Sequence, residues 1–275
     1  MQLGFPAFVN NERSRLIRDP SYGTLPAFPD PVGQAPGVWA GVFRDEFTAS
    51  TIKVLDPANG LVQLSPGGPT WGTWWPSTLL VDTPTPPAGV HAGIGKEYWD
   101  YTKAATDGGS NAVLTATQDF VHSGVGFNYT SALLHSSFAF NQLYGYFETR
   151  MYAPGVSGSW PSFWMLPSNY GPHSPPEIDI FENFGDAGFY KASNFGSGST
   201  VFADVINTPI NAWHVYGLKW TATQIIWYLD GVAVASESTV SAIPTAPMFV
   251  LCQLSVISET TPTFQLLVDY VRCWQ

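Results

Sequence analysis

A chain of 275 residues suits one large all-β domain or two small ones and leaves ample length for a core. With 45% hydrophobic and 15% aromatic residues against 12% charged, the composition excludes disorder. A formal net charge of -10, from 11 Lys+Arg against 21 Asp+Glu with no basic run, excludes a nucleic-acid-binding coat, disfavours sulfated polyanions and favours a neutral polymer as partner.

Residues 1–38 carry Pro6, Pro20, Pro26, Pro29, Pro31 and Pro36 and hold no sustained period. They read as an N-terminal arm or wrapping segment, able to dock into a larger assembly, ahead of one domain over 39–275. Met1 to Asp19 is polar, with Arg13, Arg15 and Arg18 and no apolar signal core. The expectation is either a signal peptide removed and replaced by Met1 or export without one. No apolar run approaches the roughly 20 residues of a membrane span.

Ordered β-structure is expected from Val42 to Phe47. The stretch from Leu61 to Val90 is rich in Pro, Gly, Thr and Trp and predicts a long loop over a sandwich edge. Its Trp71, Trp74 and Trp75 are either ligand contacts or packing. Short strand-like runs bounded by turn residues then follow. They begin at Asn111, Tyr144, Pro161, Glu177, Trp213, Gln224, Val232, Pro247 and Phe264. Asp230-Gly231 marks a tight hairpin, because a primed turn needs positive φ. Apolar residues nowhere recur at helical spacing over three turns. The fold expected is two curved antiparallel sheets packed face to face. Cys252 and Cys273 are either one bridge or two buried thiols. His91, His122, His135, His173 and His214 are scattered without metal-ligand spacing, so no metal site is read.

Glu177-Ile178-Asp179-Ile180-Phe181-Glu182 is the most informative stretch. Ile, Ile and Phe give it strand propensity, and ionised carboxylates on a buried strand are costly unless partnered or used. Strand alternation aims Glu177 and Asp179 the same way and Glu182 the other. One extra residue, a β-bulge between Asp179 and Glu182, would return Glu182 to their face. Three acids converging on a concave face suit a two-carboxylate hydrolase.

An ordered set of further motifs then resembles glycoside hydrolase family sixteen, the β-jelly-roll enzymes that include laminarinases, agarases and carrageenases. Phe43-Arg44-Asp45-Glu46-Phe47 is similar to the family's opening strand. Tyr144-Gly145-Tyr146-Phe147-Glu148-Thr149-Arg150 and Trp160-Pro161-Ser162-Phe163-Trp164-Met165-Leu166-Pro167 are similar to two central ones. His214 to Trp220, Trp227 to Gly231 and Val268 to Arg272 follow in the expected order. The resemblance implies Glu177 as nucleophile, Glu182 as general acid and then base, and Asp179 as a hydrogen-bonding modulator of the nucleophile. Two carboxylates about 5 Å apart imply retention of anomeric configuration. The E-x-D-x-x-E spacing resembles the bulged branch with laminarinases and agarases.

The same resemblance places Trp160 on the glycone side of the cleft, stacked on a sugar; Trp164 is either that or core. Trp74 and Trp75 are further candidate sugar contacts. In Lys191-Ala192-Ser193-Asn194-Phe195-Gly196, Asn194 stands where bulged relatives often carry His, and an amide there still hydrogen-bonds a sugar hydroxyl without titrating. Glu148 and Arg150 are expected to serve cross-strand pairing, Asp45 and Glu46 the opening strand, and His135 and His214 the core or rim.

The function expected is a retaining endo-β-glycosidase of a neutral polysaccharide, of β-1,3-glucan or β-galactan type, acting outside the cell or at its surface. No cofactor is required; relatives carry a structural calcium, but no Asp-rich loop here demands one. The alternatives are a carbohydrate-binding or virion-tail module of the same fold with weak or no hydrolysis, and a transglycosylase.

Overall fold

The computed structural model describes residues 27–58, 60–73, 90–119, 128–167, 176–185, 189–195 and 201–275. In chain order the first strands are β1 (Gly41–Asp45), β2 (Lys53–Asp56), β3 (Leu61–Gln63), β4 (Trp71–Gly72), β5 (Val90–Ala92) and β6 (Glu97–Asp100). Next come β7 (Ala104–Thr106), β8 (Ala112–Gln118), β9 (Tyr129–Ser131), β10 (Leu133–His135), β11 (Gly145–Tyr152), β12 (Ser159–Pro167) and β13 (Glu177–Glu182). The chain closes with β14 (Phe189–Phe195), β15 (Val201–Asn207), β16 (Trp213–Trp220), β17 (Ile225–Leu229), β18 (Val232–Glu237), β19 (Met248–Val256) and β20 (Thr263–Trp274). Among the described residues the only helical pieces are two 3₁₀ turns, Tyr101–Lys103 and Val240–Ala242. No helix there is long and apolar enough to cross a membrane.

The strands form two sheets. One runs β18-β17-β16-β11-β20-β8-β9-β6-β5, with β1 added beside β20 and β7 beside β8. The other runs β15-β14-β13-β12-β19-β10-β4-β3-β2 and carries the acidic strand near its middle. All neighbours are antiparallel except β6 with β9. This is the expected jelly-roll sandwich of two antiparallel sheets. Alternation explains why the sheets stack: Met248, Val250, Cys252, Leu254 and Val256 of β19 all enter the shared core, while Phe249 and Leu251 leave on the open face. Cys252 and Cys273 are two buried free thiols of that core.

The stretch read as a long loop from Leu61 to Val90 departs from expectation at its start. β3 and β4 pair there and carry the second sheet to its edge. Trp71 is buried in the core, with Nε1 donating to Asp45 Oδ2 at 2.7 Å. It is therefore packing, not a ligand platform. The hairpin at Asp230-Gly231 forms between β17 and β18, with φ of 50° and 80° at its two residues.

Residues 27–40 lie against the β11–β20 part of the first sheet. Trp274 Nε1 donates to the Pro29 carbonyl at 2.9 Å, and the Val32 amide donates to Glu148 Oε2 at 2.8 Å. Glu148 also accepts from the Tyr270 hydroxyl at 2.8 Å, whereas Arg150 pairs across the strand with Asp269 at 2.8 Å. Gly33 approaches Gly231 so closely that an added Cβ would sit 2.4 Å from the Gly231 carbonyl oxygen. His135 meets the Ser137 hydroxyl at 2.9 Å, and His214 is held between Asp230 and the Pro209 carbonyl.

Asp45 anchors the opening strand. It accepts from Trp71 Nε1, the Ser65 hydroxyl and the Phe47 amide, and burial raises its pKa to about 6. Removing the acceptor strands two buried donors, so Asp45→Ala is expected to cost about 2–4 kcal/mol. Equilibrium urea unfolding measures it; an unchanged midpoint would contradict this anchoring.

Candidate active site

β13 lies between β12 and β14, and its pairing is irregular on both sides. Against β12, Phe163 faces Phe181 and Trp164 faces Asp179, which leaves Ile180 unmatched. Against β14, Asp179 faces Ser193 and Glu182 faces Lys191, so Ile180 and Phe181 together oppose Ala192. Two residues against one is a β-bulge. Its effect on parity is direct: Ile178, Ile180 and Phe181 all enter the core between the sheets. Glu177, Asp179 and Glu182 are thereby left on the open face of the sheet. Two adjacent large apolar residues, Ile180 and Phe181, give the bulge its hydrophobic drive.

The acids interact. Burial and, next, the negative charge of Glu182 push the Glu177 pKa from 4.5 up to about 7, while a hydrogen bond with the Asp179 carboxyl opposes the rise. Asp179 is only 1% exposed and accepts from the Ser193 hydroxyl at 2.5 Å. Its backbone carbonyl accepts from Trp227 Nε1 at 2.8 Å. Glu182 Oε1 accepts from Trp160 Nε1 at 3.1 Å. Facing carboxylates in a half-buried site resist double ionisation, so the pair keeps one proton toward neutral pH. Such a site can deliver a proton and offer a carboxylate at the same time.

An aromatic wall stands beside Glu182. Because Ser162 faces Glu182, Trp160 and Phe184 are the next pair along the two strands, and the Asn183 amide donating to the Pro161 carbonyl at 3.2 Å extends the pairing to them. Their ring centroids are 5.3 Å apart, and Phe184 is 47% exposed. Sequence reading passed over Phe184 because it lies beyond the acidic strand; its even spacing from Glu182 was the available signal. Trp164 resolves to packing, in an apolar cluster with Trp99, Leu133, Leu166, Phe249 and Leu251 on the floor of the open face. Ser193 reaches the acids and was also missed. Asn194 stands opposite Ile178 in the backbone register, but its side chain lies outside the described residues, as do Trp74 and Trp75.

The fold and the acid-bearing strand define a two-sheet β-sandwich with three carboxylates on the open face of one sheet. The sequence profile of Glycosyl hydrolases family 16 matches residues 96–271, and the chain belongs to that family. It is 32% identical over 161 residues to the endo-1,3-1,4-beta-glycanase EglC of Rhizobium meliloti, covering 54% of this chain and 34% of the relative. It is 31% identical over 159 residues to a beta-glucanase of Rhodothermus marinus, covering 52% and 54% respectively. The chain thus spans about a third to a half of the length of these curated relatives. Its fold is that of the catalytic domain of an endo-1,3-beta-glucanase (laminarinase) from Thermotoga petrophila RKU-1, with a TM-score of 0.66. Identity there is 23%, over 86% of this chain and 98% of that one.

The raised pKa has a stability consequence with a definite sign. The native state binds the Glu177 proton more tightly than the unfolded chain, so this contribution is full below about pH 4.5 and is lost as pH rises through about 7. Glu177→Gln removes the loss. Its melting temperature is expected to exceed that of the wild type by a few degrees above pH 7, with the gap closing toward pH 4.5. Thermal melts across that range check it, and a pH-independent gap would refute the coupling.

Proposed function

We propose that this protein is a retaining, endo-acting β-glycosidase that hydrolyses a neutral β-glucan by double displacement. The observation that carries the reading is the bulge at Ile180, which sets Glu182 on the same face as Glu177, where the two carboxyls repel as a doubly ionised pair and share one proton. Glu177 is the nucleophile: its carboxylate attacks the anomeric carbon as Glu182 gives its proton to the departing glycosidic oxygen. Glu182, now ionised, then takes a proton from water, and that water displaces Glu177 from the glycosyl-enzyme intermediate. Net retention follows from two inversions.

The neighbours have matching tasks. The Trp160 indole N–H orients the Glu182 carboxyl. Asp179, fixed by Ser193, hydrogen-bonds Glu177 and offsets part of the burial penalty that would otherwise keep the nucleophile protonated. Trp160 and Phe184 present ring faces to the C–H face of a hexose. The chemistry passes through carboxylates alone and requires no metal or cofactor.

The named activities of the relatives, a 1,3-1,4-β-glycanase and a β-glucanase, support β-glucan ahead of β-galactan. A polymer of that kind places the work outside the cell or at its surface. Transglycosylation would differ only in the acceptor that wins the second step.

Reducing-sugar release from a panel of β-1,3-glucan, mixed-linkage glucan and galactans tests the proposal. Wild type is expected to cut a glucan and Glu177→Ala to lose at least about 10³-fold in kcat. Proton NMR of the first-formed product reads the anomer, and an inverted one would rule out double displacement. Equal polymer binding by both proteins with no cleavage by either would make the protein a binding module. For the aromatic wall, Phe184→Ala is expected to raise KM about three- to tenfold with kcat nearly unchanged. Initial rates on a soluble glucan measure that split.

A further inference from the structure

We propose that Ser162 and Gln253 form a buried seat for one ordered water in the floor of the cleft, and that this water positions the Glu182 carboxyl. The proposal rests on the glycosidase reading for its catalytic readout, while the seat itself stands apart from that reading. Ser162 of β12 lies directly opposite Glu182 of β13 on one side and Gln253 of β19 on the other. Alternation puts all three on the open face. Phe163 and Met165 enter the core while Trp164 and Leu166 lie outside it, and Cys252 and Leu254 enter it while Leu251 lies outside. The row Glu182, Ser162, Gln253 therefore crosses three strands on the side that carries the acids.

The row is polar and closed off. Ser162 and Gln253 are each 1% exposed, yet among the described residues neither Ser162 Oγ nor Gln253 Oε1 meets a hydrogen-bond partner. Buried polar atoms are nearly always partnered, because leaving one unpaired forfeits its hydration without return. Directly opposed residues of an antiparallel pair hold their Cβ atoms about 4.5–5.5 Å apart. One water spans a gap of that size with two bonds of about 2.8 Å. Serine is also the smallest side chain of the row, and it stands between Trp160 and Trp164 on the same face of β12. A water at this position finds the two or more polar partners that a buried water requires.

The hydrogen bonds balance. The Ser162 O–H donates to the water, whose two hydrogens go to Gln253 Oε1 and to the Glu182 carboxyl. Glu182 Oε1 also accepts from Trp160 Nε1 at 3.1 Å, so the carboxyl is held from two directions, by the indole and by the water. A general acid must keep one orientation toward the departing oxygen, and two fixed donors restrict its rotation more than one does. Ser162 and Gln253 act only through the water and Glu182, so they are positioning residues.

The test compares Ser162→Ala, Gln253→Met and the double variant, with Thr106→Val as control. Thr106 likewise has a buried hydroxyl with no partner among the described residues, but it belongs to β7 of the other sheet. A wild-type crystal structure that resolves ordered solvent is expected to show a water within hydrogen-bond reach of Ser162 Oγ, Gln253 Oε1 and the Glu182 carboxyl. Each single variant leaves the other seat atom without its bridge. The urea midpoint of the double variant is therefore expected to fall by less than the sum of the two single losses. On a glucan, each single variant is expected to lose about tenfold in kcat with KM within about twofold, while Thr106→Val keeps kcat within about twofold of the wild type. A crystal structure with no water between Ser162 and Gln253, additive midpoint losses, or wild-type kcat in both single variants overturns the proposal. Should Gln253→Met not fold, Ser162→Ala and the wild-type crystal structure carry the comparison. A wild type inactive on every glucan removes the glycosidase reading instead, and the water and the midpoints then decide whether the seat exists.

Discussion

One unmatched residue governs this site. Ile180 has no partner on β12 and shares its partner on β14 with Phe181. Strand geometry permits two faces only, so an odd insertion is the sole local way to bring residues 177, 179 and 182 to one side. The insertion is stabilised because it also delivers Ile178, Ile180 and Phe181 to the core, where each is buried. Burial of a fully exposed Ile or Phe contributes about 1.5–3 kcal/mol, and breaking the bulge would forfeit part of that for Phe181. Apolar drive and acid placement therefore favour the same backbone path.

Buried carboxylates occur elsewhere in the molecule, and comparison with them shows what sets β13 apart. Glu97 is fully buried with its pKa raised to about 7, the same direction and size as Glu177. It accepts from the Val256 and Gly95 amides at 2.8 and 3.2 Å, and so ties β6 to the end of β19. Asp45 and Glu148 likewise bind backbone amides and aromatic N–H or O–H donors. In those cases burial and hydrogen bonding raise or hold the carboxyl for architecture. At Glu177 the second cause is another carboxylate, and that mutual repulsion is the element a proton-sharing pair requires. A raised pKa alone would have picked out Glu97 equally well.

Much of this was legible in the sequence, for reasons that mark where such reading stops. Long strands such as β11, β12, β16 and β19 announced themselves as apolar, strand-prone runs bounded by turn residues. The bulge was legible because three carboxylates could not otherwise share a face. β3 and β4 were not, because strands of three and two residues carry too few side chains to show a period. Trp71 misled for the same reason: a Gly- and Pro-rich neighbourhood looks exposed until a strand and the carboxylate of Asp45 are placed over it. A second bulge escaped notice at Asp269. There Arg150 faces Tyr270 and Met151 faces Val268, so the core positions shift from Leu266 and Val268 to Val271 and Cys273. No charge pattern there betrays the change of parity. Phe184 and Ser193 were missed because their value depends on the neighbouring strand, not on their own.

The cross-sheet contacts were beyond any local pattern, and they alter how the site is understood. The acids stand on one sheet, yet the carbonyl at the bulge is partnered by Trp227, and the Phe181 ring is met by Tyr216, both from the other. The first sheet presents no member of the acidic trio, but it fixes the depth at which β13 can sit. Protein interiors are close-packed, so a displacement of β16 or β17 has no void to absorb it and passes to the bulge. Placement of Glu182 is therefore a property of the sandwich as a whole. The distance between the two sheets must stay constant if the last glutamate is to keep facing the first.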